Sequence, residues 1–268
     1  MKKNLSPIEK EIRQRTRRSF LVALTSLTAG LLGWHWLRTS PEDDGIPWPL
    51  RKVLEFNGAI WGKSYSSKRD ETIPPAPPAG KKARVNGDIG ITTPINPATW
   101  KMNVISGTRF PQNSPYVLTM ADLKKMPKSE SVADFKCIEG WSEVMSYGGV
   151  RFSDFVHHLG HLGIATRSGR SPDILNSQED LFRYIGLETP DQGYYVSLDM
   201  ESMLHPRTIL AYELNGVPLS DEHGAPLRLI IPVKYGIKSL KRIGTIAFGD
   251  ERQPDYWAEQ GYDWFSGL

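Results

Sequence analysis

The longest apolar run in the chain, residues 20–37, carries no charge. As a helix rising ~1.5 Å per residue it reaches ~27 Å, just enough to cross a bilayer. Arg13, Arg15, Arg17 and Arg18 precede it, and Glu42, Asp43 and Asp44 follow. That asymmetry predicts an N-terminus in the cytoplasm and the remainder outside. Trp34, His35 and Trp36 sit at the far end, where an interfacial belt belongs. Residues 50–61 read as a short helix or strand. Residues 62–80 are polar and then carry Pro74, Pro75, Pro77 and Pro78. Such proline density excludes a helix or a central strand and predicts an extended tether, or an arm on a domain surface.

From about Ala83 the pattern breaks into short runs. Segments 100–104, 116–118, 131–138, 183–187, 194–198, 209–214, 227–233 and 240–248 have strand character. Thr119-Met120-Ala121-Asp122 is a capping box, so a short helix starts there and stops before Pro127. Phe152, Phe155, Val156 and Leu159 fall at helical spacing and predict a helix over 153–162, followed by a polar loop over 166–176. Many short strands with few helices indicate an α+β fold rather than a βαβ array. The chain thus divides into an export signal or membrane anchor (1–40), a proline-rich tether or arm (41–82) and a folded domain (83–268).

Composition changes this picture little. The 268 residues are 39% apolar and 24% charged, ordinary for a globular domain. A net charge of +3 gives no warrant for a nucleic-acid partner. The N-terminus is more specific. Thr16-Arg17-Arg18-Ser19-Phe20-Leu21 reads as a twin-arginine export signal, which places the domain in the periplasm or on the outer face of the cytoplasmic membrane. No clear A-x-A cleavage site follows, which favours an uncleaved anchor.

The single cysteine, Cys137, lies in Phe135-Lys136-Cys137-Ile138-Glu139-Gly140-Trp141-Ser142 and cannot form an intramolecular disulfide. A thiolate is a nucleophile and a soft metal ligand, and a lone cysteine is also a common apolar filler. Further on, Arg228 interrupts an apolar strand after Asp221-Glu222-His223-Gly224-Ala225-Pro226, and an arginine fork there seeks a carboxylate or phosphate. Lys234, Lys238, Lys241 and Arg242, with Ser239 among them, could wrap a phosphate or form a solvated basic edge. His157 and His161 have the four-residue spacing of a metal-binding pair but no third ligand, so a solvent-facing pair is expected. Glu201 and His205 share a face if their turn is helical, and read as scaffold.

Together, Cys-x-Glu-Gly-Trp-Ser, His-Gly-Ala-Pro-x-Arg and Lys-Tyr-Gly-x-Lys-Ser-x-Lys resemble the molybdopterin-binding domain of the sulfite oxidase superfamily, over residues 84–248. Within it the chain looks most like the catalytic subunit of the exported protein-methionine-sulfoxide reductase. The resemblance implies a mixed-sheet α+β domain and a molybdenum–molybdopterin cofactor. It gives Cys137 as the thiolate ligand of molybdenum and Glu139 as a catalytic proton relay. It gives Asn86, Thr189, His223, Arg228, Ser239, the backbone of Leu240, and Lys241 as residues holding the pterin and its phosphate tail. True sulfite oxidases follow the cysteine with an arginine-rich segment and append a dimerisation domain. Here residues 138–145 lack arginine, and the chain stops soon after the cofactor-binding strands.

The function implied is two-electron oxygen-atom transfer, chiefly reduction of a small-molecule or protein S-oxide. Electrons would come from a haem- or quinone-linked membrane partner, since one cysteine cannot build a cluster. The alternatives are sulfite-type oxidation by the same cofactor, a hydrolase or transferase using Cys137 as nucleophile, and a non-catalytic membrane-tethered module. The aromatic tail (Tyr256, Trp257, Tyr262, Trp264, Phe265) is expected to pack back over the domain.

Overall fold

The structure, a computed structural model, describes residues 6–43, 46–64, 73, 75–107, 115–174 and 178–267. The chain separates into two units, residues 1–69 and 70–268.

In the first unit, helix α1 (Pro7–Thr39) starts where the sequence supplies a reciprocal cap. The Ser6 hydroxyl accepts from the Glu9 N–H at 3.2 Å, and the Glu9 carboxylate accepts from the Ser6 N–H at 2.8 Å. Pro7 occupies the first helical position, where its missing N–H costs nothing. None of the helix is buried, and by length and composition it is able to cross a membrane. A two-residue ladder of β1 (Glu42–Asp43) and β2 (Ile46–Pro47) leads to α2 (Trp48–Ser64). Segment 50–61 is therefore helical. Of the polar segment, residues 65–72 and Pro74 lie outside the described residues.

The second unit is built on two sheets. The mixed sheet has the order β4 (Tyr116–Thr119), β3 (Lys101–Ser106), β12 (Thr245–Gly249), β7 (Tyr184–Glu188), β8 (Tyr195–Asp199). Only β3 and β12 run parallel. The other sheet is antiparallel, in the order β10 (Val217–Pro218), β9 (Ile209–Leu214), β6 (Ser142–Arg151), β5 (Ser129–Lys136), with β11 (Arg228–Ile230) also paired to β9. This is the mixed-sheet α+β architecture expected.

Strand β6 is the longest of these, yet the hydrophobic pattern marks no element there. Its Gly148-Gly149 pair hides it. The register against β9 shifts between these residues, and a Cβ on Gly149 would stand 2.1 Å from the Leu210 carbonyl oxygen. Glycine lets the two backbones close at that irregularity. The capping box at Thr119 forms as predicted and starts α3 (Met120–Leu123). Helix α4 (Phe152–His158) ends earlier than its pattern suggests, giving way to a 3₁₀ turn over Gly160–Leu162 that closes on left-handed Gly163. Two further short α-helices, α5 (Met200–Met203) and α6 (Tyr256–Glu259), lie among the described residues of the unit.

The main core joins Met102, Val104, Ile246, Leu187 and Val196 of the mixed sheet to Leu210 and Leu229 of the second sheet and to Phe152 and Phe155 of α4. A smaller cluster, including Ala133, Met145, Tyr147, Ala211 and Ile230, lies on the second sheet. Residues 80–84 form an arm on that sheet's surface. The Gly80 N–H donates to the Asn215 carbonyl (2.6 Å), the Asn215 side chain to the Lys81 carbonyl (2.8 Å) and the Arg84 N–H to Glu143 (2.8 Å).

Candidate active site

Cys137 stands at the tip of the β5–β6 hairpin. Lys136 pairs with Ser142, so only five residues make the connection. The Cys137 N–H donates to the Trp141 carbonyl at 2.9 Å, and the Gly140 N–H donates to the Cys137 carbonyl at 3.1 Å. Gly140 has φ +87°, the left-handed conformation that such a short hairpin loop demands and that an L side chain resists. The Cys-Ile-Glu-Gly-Trp spacing is thus a turn that fixes the sulfur. The thiol is buried, and the Asn86 side-chain amide faces it at 3.8 Å. Glu139 is exposed at the same loop, and its carboxylate accepts the Trp141 indole N–H at 3.0 Å.

A cavity of about 270 Å³ opens beside this tip, lined by Cys137, Glu139, Asn86, His223, Arg228, Ser239 and Lys241. Seven of the nine expected site residues therefore meet in one place, from segments up to 155 residues apart.

Arg84, Arg228 and Lys241 line the cavity, and the last two are the more buried. Arg228 is buried at the start of β11, with its guanidinium 5.8 Å from the ring centroids of both Phe135 and Tyr147. Its terminal nitrogens donate to the carbonyls of His223 (3.2 Å) and Ser239 (3.3 Å), while Nε has no partner. Lys241 donates to three carbonyls, those of Asn86 (2.6 Å), Gly87 (2.7 Å) and Glu222 (2.9 Å). Among the described residues neither cation pairs with a carboxylate. Burial, aided by Arg228, brings Lys241 down to about 8. Burial also lowers His223, and the positive charges of Arg228 and Lys241 add to this. A buried and a half-buried cation that repel one another and pair with no carboxylate suit a site for an anionic ligand.

Two expected residues lie elsewhere. Thr189 is buried outside the cavity lining, in the turn joining β7 to β8. Its hydroxyl donates to Asp191 (2.7 Å) and accepts the Tyr194 N–H (3.1 Å). It thereby holds Tyr194, which does line the cavity and whose hydroxyl donates to the Ile237 carbonyl. Leu240 is a fully buried core residue whose carbonyl accepts from the Leu229 N–H at 2.9 Å. The basic segment also divides. Lys234, Lys238 and Arg242 pair with Asp199 (3.0 Å), Asp255 and Asp221 (3.0 Å), leaving Lys241 as its one cation in the cavity lining among the described residues.

The walls contain what the motifs did not reveal. Phe135 stacks on Trp141 at 6.1 Å, and the Arg84 guanidinium lies 4.7 Å from the centroid of the Trp141 ring. Tyr147 and Met145 come from the unassigned strand β6, with the Tyr147 hydroxyl 3.3 Å from the Met145 sulfur. Burial pushes Tyr147 up to about 12. Trp257 and Tyr262 complete the rim, so the aromatic tail reaches the site as well as packing on the domain. Alternation of Met145 and Tyr147 was the available signal for β6. Nothing in the sequence linked the tail to the cavity. His157 and His161 are both exposed and lie in different elements, and no cluster of three potential metal ligands of the His, Cys, Asp or Glu type exists among the described residues. Helix α5 ends at Met203, before His205.

The donor set fits a molybdopterin group: a soft buried thiol, next to fixed cations able to take a phosphate. The family comparison agrees. The family described as "Oxidoreductase molybdopterin binding domain" matches residues 90–257. A subunit of Azospira oryzae, YedZ1, with a provisional assignment to protein-methionine-sulfoxide reductase, is 27% identical over 270 residues, covering all of this chain and 94% of that protein. The protein-methionine-sulfoxide reductase catalytic subunit MsrP of Ralstonia nicotianae is 31% identical over 180 residues, which is 65% of this chain and 52% of its own length. The crystal structure of the sulfane dehydrogenase SoxCD from Paracoccus pantotrophus overlaps 60% of this chain and 40% of that one, with a TM-score of 0.46 and 20% identity. The chain belongs to the oxidoreductase molybdopterin-binding domain family.

Proposed function

We propose that this protein is an exported, membrane-anchored reductase of S-oxides, of the methionine sulfoxide kind, supplied with electrons by a membrane redox partner. The observation that carries the reading is the shared cavity of Cys137, Arg228 and Lys241. The names of the Azospira and Ralstonia relatives support the substrate class.

The residues present divide the work. Cys137 would offer its sulfur as the protein ligand of molybdenum. Arg228, Lys241 and His223 would hold the anionic pterin and its phosphate, with Ser239 alongside. When bound, the molybdenum–molybdopterin group supplies two-electron oxygen-atom transfer. Glu139 places a carboxylate at the cavity, oriented by the Trp141 N–H, where it would relay protons to and from the site. Phe135, Trp141, Trp257 and Tyr262 offer an apolar, polarisable surface suited to a thioether. One cysteine allows no iron–sulfur store, so electrons come from outside the chain. Export by the twin-arginine route and retention of α1 as an anchor complete the reading.

Reading Cys137 as a hydrolytic nucleophile requires a base. Among the described residues no histidine hydrogen-bonds its sulfur, whose partner is the Asn86 amide. Assay of the loaded protein with a reduced dye against a panel of S-oxides, and with an oxidised acceptor against sulfite, tests the substrate class. Turnover of methionine sulfoxide with little sulfite oxidation is expected. Sulfite oxidation as the dominant activity contradicts it.

A further inference from the structure

We infer that α2 is a second membrane element, lying along the surface of the bilayer that α1 crosses, with lipid as the occupant of its apolar face. The inference rests on the reading of α1 as a retained anchor. Leu50, Val53, Leu54, Phe56 and Ile60 are between 43% and 65% exposed, too much apolar surface for a helix whose partner is water. At 3.6 residues per turn these five fall within about 160° of the helix circumference. Lys52, also exposed, lies outside that arc. Exposed Asn57 falls within the arc and Lys52 about 40° beyond its edge, so the surface is a largely apolar arc bordered by a cation, which suits a helix held at the headgroup level.

What selects lipid over another occupant is continuity with α1. Eight residues separate Thr39 from the start of α2 at Trp48, and among them Glu42 pairs with Pro47 and Asp43 with Ile46, a tight elbow. The Trp48 N–H donates to the Pro41 carbonyl at 2.9 Å. The Trp36 and Trp48 rings meet edge to face at 6.1 Å. Trp34, Trp36 and Trp48 are all more than 40% exposed, placing a cluster of interfacial residues where the span leaves the bilayer. The first turn of α2 is therefore fixed at the membrane surface, and its apolar arc has the hydrocarbon boundary within reach.

Spin labels on the full chain test this. Labels at Phe56→Cys, Val53→Cys, Lys52→Cys and Leu27→Cys, each in a Cys137→Ser background, are read in phosphatidylcholine–phosphatidylglycerol vesicles for collision with oxygen and with a water-soluble nickel chelate. Positions 56 and 53 are expected to show an oxygen-to-nickel ratio severalfold above that of position 52. Nickel access at 56 and 53 equal to that at 52 overturns the inference by placing the face in water. Protection from both reagents overturns it by placing the face against protein. Position 27 reports α1 separately: nickel access there rejects the anchor reading, whatever α2 does.

Discussion

The side-chain amide of Asn86 lies 3.8 Å from the sulfur of Cys137, across 51 residues of chain. The contact depends on Lys241, whose ammonium holds the carbonyls of Asn86 and Gly87 and so ties this loop to the cavity floor. An N–H aimed at a thiolate stabilises its charge and fixes its direction, and losing such a partner of a metal ligand typically costs about 10–100-fold. Asn86→Ala is therefore expected to lower turnover by about that factor while molybdenum content stays near wild type. Steady-state kinetics normalised to metal content checks it.

Arg228 separates binding from stability. Its buried charge pairs with no carboxylate among the described residues, so the cofactor-free fold carries a desolvation cost that a bound anion would relieve. Arg228→Met is expected to abolish cofactor retention. Its cofactor-free stability should stay within ~1 kcal/mol of wild type or rise above it, since the carbonyls left behind offset only part of the gain. Denaturant titration of both cofactor-free proteins, with pterin analysis of the loaded preparations, makes the comparison.

Lys241 gives a pH dependence with a definite sign. Its folded value of about 8 lies below the ordinary 10.5. Below pH 8 both folded and unfolded chains hold the proton and the buried charge destabilises the cofactor-free fold in full. Between pH 8 and 10.5 the unfolded chain holds the proton and the folded one does not, so this lysine makes the cofactor-free fold more stable as pH rises. Anion binding needs the charged form. Affinity of the cofactor-free chain for a phosphate monoester is expected to fall as pH passes through about 8, and Lys241→Arg should remove the fall. Calorimetric titration at a series of pH values tests both parts.

Gly236 is required by its neighbour. A Cβ there would stand 2.6 Å from two carbons of the Phe135 ring, which stacks on Trp141 and faces Arg228. Gly236→Ala is expected to cost about 1–3 kcal/mol of stability and to shift the cavity wall. Thermal unfolding reads the first effect, and a change in tryptophan fluorescence from Trp141 reads the second.

The legible parts of this protein were those written in local chemistry. The capping box at Thr119, the Cys-x-Glu-Gly-Trp-Ser segment around Cys137, and Arg228 interrupting an apolar strand all carry signals within a few residues, whereas the cap at Ser6 and the turn that presents Cys137 emerged only with the fold. Strand β6 was hidden because Gly148 and Gly149 break its pattern to admit β9, a long-range packing demand. The same holds for the basic segment: only the fold shows that Asp199, Asp255 and Asp221 neutralise three of its cations. Residues 138–145 contain no arginine, yet Arg84 reaches Trp141 from the arm, a pairing set by tertiary structure alone.

The most direct measurement is the molybdenum and pterin content of the purified protein, taken together with S-oxide turnover, for wild type and Cys137→Ala. The account predicts near-stoichiometric metal and pterin with dye-driven reduction in wild type. In Cys137→Ala it predicts loss of turnover and of the metal–thiolate absorption even where pterin remains. Full activity in a metal-free preparation, or in Cys137→Ala, would contradict it.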